Sequence, residues 1–215
     1  MTVLSNALRW HCLGALLLGA AGVLAFAPLG WFPVNWLSLG GLFGLLSAEA
    51  AGARSSRRAA LIAGAYGCGL FLTGVSWVYV SLSVFGGMPV WLAGVATVLF
   101  CAVLALFSAL GGALFVRLSA PGWFRRALLF AGLWTLAEWT RTWAFTGFPW
   151  LAAGYSQTPP SPLAGYAPLL GLHGVTLASA LIGALILEVV RRWLSSESCG
   201  TRSLLRWCPA LPLLA

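Results

Sequence analysis

"VWLAGVATVLFCAVLALFSALGGALFV", residues 90–116, runs for 27 residues without a charged side chain. As a helix it would be about 40 Å long at about 1.5 Å per residue, enough to cross the roughly 30 Å hydrocarbon core of a bilayer. The composition around it agrees. Of the 215 residues, 60% are apolar and 7% charged, whereas a soluble domain carries about 25% charged residues. So few charges cannot cover a water-facing surface, and the chain belongs in a membrane.

Working outward, five further stretches are long and apolar enough to read as spanning helices. With residues 90–116, the set is Leu8–Ala27, Trp31–Ala48, Ala59–Tyr79, Val90–Val116, Ala127–Phe145 and Leu169–Val190. The tail 204–215 is apolar again but too short to span, and reads as the start of a seventh helix. The expected fold is an all-α polytopic membrane protein with six complete transmembrane helices plus that start. The whole of 1–215 is expected to form one helical domain, with no soluble catalytic domain. The first helix also imitates a secretory signal, since Arg9 and an apolar run precede "AFA" at 25–27. Pro28 directly after that site and the many spans that follow favour an uncleaved helix. Small residues recur in "LGALLLGAAG", "LGGLFGLL" and "LGGALF", a signal for close helix packing.

The charges are unevenly placed. Every basic side chain is an arginine, and the acids are Glu49, Glu138, Glu188 and Glu197. Arg9 precedes the first run. Arg54, Arg57 and Arg58 lie between the second and third, and Arg117, Arg125 and Arg126 between the fourth and fifth. Arg191, Arg192, Arg202 and Arg206 follow the sixth. If the helices alternate, all of these share one side, while the segments near 28–30, 81–89 and 146–168 hold no Lys or Arg. The positive-inside rule then puts the N-terminus in the cytoplasm. The net charge of +8 marks orientation and contact with anionic lipid head groups, so no nucleic-acid partner is implied.

The census also excludes chemistry. Without lysine there is no Schiff base and no P-loop; without aspartate there is no Asp-based triad or metal cage. His11 and His173 stand far apart, and Cys12, Cys68, Cys101, Cys199 and Cys208 form no CxxC pair, so neither a metal site nor a disulfide framework is expected. No cofactor is implied.

One charged pair falls inside an apolar run. In "EWTRTWAFTGFPWLAAGYSQ", residues 138–157, Trp134, Glu138 and Arg141 follow i, i+4, i+7 and share a helix face. Glu138 lies roughly 18 Å along the axis from Arg126, at about 1.5 Å per residue. The arginine three residues on is its natural partner at that depth. Two readings stand: a polar cluster facing a cavity, or a structural ion pair. The uncharged loop that follows carries Trp150, Tyr155 and Tyr166 beside Ser156, Gln157 and Thr158. A second outer segment, "WVYVSLSVFGGMP" at 77–89, resembles it. There Trp77, Tyr79, Ser81 and Ser83 alternate with apolar residues, the period of an extended segment, before a Gly86-Gly87 turn. Two uncharged amphipathic segments suit a surface that handles lipid tails and head groups together. The candidate lipid-facing set is Trp77, Tyr79, Trp134, Glu138, Arg141, Trp150, Tyr155 and Gln157. Glu188 reads as a surface partner of Arg191 or Arg192, and Glu49 as a solvated loop residue.

The strings "FAPLGWFPVNWLSLGGL", "GLFLTGVSWVYVSLSVFGGMP" and "EWTRTWAFTGFPWLAAGYSQ" with "PLAGYAPLLGLHGV" cover most of residues 24–175 in order. They resemble the membrane part of bacterial apolipoprotein N-acyltransferase. The resemblance implies a multi-pass protein of the bacterial inner membrane. It also implies transfer of an acyl chain from a phospholipid to the N-terminal amino group of a diacylglyceryl-cysteine lipoprotein. In that family the chemistry belongs to a periplasmic nitrilase-like domain with a Glu–Lys–Cys triad. With no lysine in these residues, no catalytic residue carries over, and the chain alone is expected to be inactive. A transporter or channel subunit with Glu138 and Arg141 lining a pathway is the competing reading, as is a non-catalytic scaffold for a separate hydrolase.

Overall fold

The computed structural model describes residues 6–198. No strand occurs among the described residues. In chain order the helices are α1 (Asn6–Gly22), α2 (Phe32–Ala51), α3 (Ser56–Gly74), the short α4 (Trp77–Val80), α5 (Val90–Leu118), α6 (Trp123–Arg141) and α7 (Ala167–Ser198). The apolar runs are helical with ends shifted by a few residues, except that Ala59–Tyr79 breaks after Gly74 into α3 and α4. The start of α3 is set by Ser55, whose hydroxyl accepts from the Arg58 amide at 3.3 Å. The expected helix at 204–215 lies outside the described residues.

Three helical stretches are long and apolar enough to cross a membrane: Asn6–Ala25, Val90–Leu118 and Ala164–Ser195. A fourth counts if Ser56–Gly74 and Trp77–Phe85, bent by 49°, form one broken span. Length and apolarity alone thus support three or four spans rather than six. The two helices left out, α2 and α6, carry Asn35 and Glu49, and Arg125, Arg126, Glu138 and Arg141, respectively.

The alternation at 77–84 does not make an extended segment. Trp77–Val80 is α-helical and Ser81–Phe85 forms a π turn. No strand stands among the described residues to pair with, and coiling lets these residues satisfy their own amides and carbonyls. Glu49 also departs from expectation. It sits in the last turn of α2, only 4% exposed, with the Arg58 Nε 3.2 Å away. The first turn of α3 folds back over it and supplies the cation that makes its burial tolerable.

Close backbone approaches hold the bundle, as the small residues suggest. A Cβ at Gly19 would fall on the Tyr66 carbonyl, and one at Gly69 on that of Leu16, so α1 and α3 touch main chain to main chain. At the α2–α7 crossing a Cβ on Gly40 would lie 2.5 Å from the Gly183 carbonyl oxygen, and one on Gly183 would lie 2.5 Å from that of Trp36. Between these seams sits an aromatic core. Phe43 and Phe115 meet Phe130, which stacks on Trp134, and Trp134 meets Tyr66 edge-on at 5.5 Å. The Ser38 hydroxyl donates to the Leu18 carbonyl at 2.7 Å, which leaves the Tyr66 hydroxyl to donate to Ser38, also at 2.7 Å. The polar tip of the buried tyrosine is thereby satisfied.

Candidate functional site

The loop between α6 and α7 is irregular. It contains three 3-10 turns, Ala144–Thr146, Ala153–Ser156 and Ala164–Tyr166, and its Phe145, Thr146 and Leu151 take positive φ. Yet its middle is as buried as the helices: Ala152, Ala153, Ser156, Gln157 and Ser161 are all in the interior. Buried irregular backbone leaves donors and acceptors that a helix would have paired internally, and each must find another partner.

Glu138 and Arg141 are those partners. The Glu138 carboxylate is 5% exposed and accepts from three groups. The Ala153 amide reaches its two oxygens at 3.0 and 3.1 Å, the Trp134 indole NH donates to Oε1 at 2.9 Å, and the Thr176 hydroxyl donates to Oε2 at 2.9 Å. Thr176, on α7, also accepts from the Gly154 amide at 3.0 Å. Arg141 is 3% exposed. Its Nη1 donates to the carbonyls of Phe148 and Trp150, each at 2.6 Å, and its guanidinium lies 5.0 Å from the Phe71 ring centre. The acid therefore takes a loop N–H group and the base takes two loop carbonyls. No Glu138–Arg141 contact falls within ion-pair distance among the described residues. The expected i,i+3 ion pair is absent because each charge finds a charge-assisted hydrogen bond to the folded-back loop instead.

Asn35, on α2, completes the clasp. Its amide donates to the Ala153 carbonyl at 3.2 Å and to the Ser156 hydroxyl. Gln157 donates to Ser156 at 2.8 Å and accepts from Ser161 at 2.7 Å. Sequence reasoning passed over Asn35 and Thr176. Their one signal is a polar side chain within a largely apolar helical run, which in a membrane setting asks for a partner.

The eight candidate residues therefore divide. Trp134, Glu138 and Arg141 are buried beneath the loop, and Gln157 is buried within it. Trp77, Trp150 and Tyr155 line a groove of about 530 Å³, closed on its other side by Val23, Phe26 and Gly74. Tyr79 is half-buried on α4 and does not line it. Trp150 is 51% exposed and sits 5.6 Å from Trp77. Leu151, at φ +58°, turns its side chain down against Gly74. The groove offers aromatic and aliphatic walls and no charged side chain, a surface for an apolar chain rather than an ion. Glu138, with its oxygens taken by the loop and by α7, does not face a pathway.

These features define a helical membrane protein whose buried charges hold up an aromatic loop over an apolar groove. Residues 18–185 match the model of the apolipoprotein N-acyltransferase N-terminal domain, and the chain belongs to that family. It is 43% identical over 194 residues to the apolipoprotein N-acyltransferase of Ralstonia nicotianae, covering 87% of this chain and 36% of that one. It is 44% identical over 179 residues to the same-named protein of Nitrosomonas europaea, covering 81% and 34%. With that of Vibrio cholerae it shares 42% over 199 residues, covering 90% and 37%. The chain thus spans about a third of the length of the curated relatives it matches.

Proposed function

We propose that these residues form the membrane-embedded, lipid-handling part of an apolipoprotein N-acyltransferase, which moves an acyl chain from a phospholipid to the N-terminal amine of a diacylglyceryl-cysteine lipoprotein. The observation that carries this reading is the uncharged groove under Trp77, Trp150 and Tyr155, open at the level of a loop that buried charges hold in place. Its volume, about 530 Å³, is within the usual range of small-molecule sites. The apolar walls would take an acyl chain, and the loop backbone and Tyr155 hydroxyl would meet the ester end.

In this reading all six long helices cross the bilayer. Of the polar groups on α2 and α6, Asn35, Glu138 and Arg141 are turned inward and satisfied, while Arg125 and Arg126 stand in the first turn of α6. The N-terminus and the arginine-bearing turns face the cytoplasm of a bacterial inner membrane, and residues 81–89 and 146–168 face the opposite side. Acyl transfer needs the Glu–Lys–Cys chemistry of the family, and no lysine stands in these 215 residues. A polypeptide of these residues alone therefore binds lipid without acylating a lipopeptide.

The test is photolabelling in reconstituted vesicles with a phospholipid carrying a diazirine in its acyl chain. Adducts should concentrate on peptides containing Gly74–Trp77 and Pro149–Tyr155, and fall several-fold in Trp150→Ala. Labelling confined to the outward faces of α1 and α5 would overturn the assignment. Orientation is read with cysteines placed at Phe85, Gly165 and Arg57 in a background free of native cysteines. A membrane-impermeant thiol reagent should reach the first two in intact cells and spare the third.

A further inference from the structure

The end of the bundle away from the groove carries a second candidate surface, independent of the acyl-transfer reading. Arg54 Nη2 donates to the Ser119 carbonyl at 3.2 Å, and Arg126 Nε donates to the Ala120 carbonyl at 3.3 Å. The first bond draws the turn between α2 and α3 onto the turn between α5 and α6, and the second braces that turn against the start of α6. Helices α3 and α5 run antiparallel, with Gly67 meeting Ala105 and Gly112 meeting Ala59 and Ala63. That register carries Arg57 to the level of Arg117. Arg125 follows from the first turn of α6.

Arg57, Arg117 and Arg125 are all exposed, and none has an ion-pair or hydrogen-bond partner among the described residues. The described carboxylates at this end are already engaged: Glu49 by Arg58 at 3.2 Å and Glu188 by Arg192 at 3.0 Å. Three like charges thus stand at one end with no unengaged carboxylate among the described side chains to neutralise them, an arrangement that calls for an anion from outside.

The surroundings say which anion. Leu118, Trp123 and Phe124 are exposed between these arginines, and the Arg192 guanidinium caps the Trp123 ring at 4.6 Å. Exposed Trp and Phe at a bundle end mark the depth of the membrane–water interface. Guanidiniums interleaved with them lie at head-group level, where a lipid phosphate arrives with its chains against the aromatics. A water-borne polyanion would need the arginines to stand clear of that belt. We propose that Arg57, Arg117 and Arg125 form a docking surface for the phosphate groups of anionic phospholipids.

The test uses the full chain in vesicles of phosphatidylcholine with a trace of spin-labelled lipid. Spin-labelled phosphatidylglycerol should associate several-fold more strongly than spin-labelled phosphatidylcholine, since one arginine near an anionic membrane surface is worth about a fivefold preference. Arg57→Gln/Arg117→Gln/Arg125→Gln should lower that ratio several-fold, with circular dichroism unchanged from the parent. Equal association of the two lipids with the parent chain would overturn the proposal, as would a ratio that survives in the folded triple variant. If the triple variant does not fold, Arg57→Gln and Arg125→Gln are read singly, each expected to lower the ratio. Inorganic phosphate should weaken the preference no more than chloride at the same ionic strength. A stronger effect of phosphate would point to a soluble-anion site and also overturn it.

Discussion

Two uncharged segments look alike in sequence and behave differently in the structure. Residues 77–89 and 146–161 are both uncharged, aromatic and punctuated by glycine and proline. The first curls into α4 and a π turn, buries none of residues 77–85 and leaves Phe85 84% exposed. Its side-chain hydrogen bond is local, from Ser83 to the Tyr79 carbonyl at 2.8 Å. The second is irregular but buried, and it is tied to α2, α6 and α7 through Asn35, Glu138, Arg141 and Thr176. What separates them is the helix beneath. A segment that satisfies its own backbone can rest at the periphery, whereas an irregular one enters the interior only where side chains from below take its amides and carbonyls.

Removing the clasp should erase the difference. Glu138→Ala strands the Trp134 indole, the Ala153 amide and the Thr176 hydroxyl together, and should cost about 3–5 kcal/mol, because buried groups lose their only partners. Thermal unfolding in detergent measures the loss, and limited proteolysis should then cut within 148–161 as readily as within 81–89. Arg141→Gln releases the Phe148 and Trp150 carbonyls and should cost about 3 kcal/mol. The double variant Glu138→Gln/Arg141→Gln sharpens the point. If each charge serves the loop, the double variant is at least as unstable as the worse single one. Recovery towards the parent would mean that the two charges compensate each other as an ion pair.

Asn35→Ala removes two donated bonds to the loop and should cost about 1–2 kcal/mol, read as a lower midpoint with the helical circular dichroism signal retained. The smallest effect belongs to the other segment. Ser83→Ala should stay within about 0.5 kcal/mol of the parent, as surface changes do. A drop as large as that of Asn35→Ala would mean that 77–89 is anchored as firmly as the loop.

The helices were legible in the sequence because an apolar run of sufficient length leaves the backbone little choice but to coil. The shared face of Trp134, Glu138 and Arg141 was legible for the same reason, since helical periodicity is local. What Glu138 and Arg141 bind was not. Spacing placed them near each other, but their partners come from a loop up to fifteen residues on and, for Glu138, from α7, a distance no periodicity reports. Glu49 was misread on the same ground, since its burial comes from α3 folding over it. Residues 77–84 show the opposite failure, in which a real alternation was too short to decide between a strand and a turn of helix.

The clasp grips main-chain atoms of the loop more than its side chains. The Ala153 amide and the carbonyls of Phe148 and Trp150 are what Glu138 and Arg141 hold. Those atoms are present whatever residue occupies the position, save that proline at 153 would delete the amide. The side chains of Trp150 and Tyr155 point into the groove and take no part in that grip. The loop is therefore a socket with exchangeable fittings. Substitutions at 150 and 155 can reshape the groove while leaving the mount that holds it unaltered, so a groove built this way is free to change its fit without passing through an unfolded ancestor.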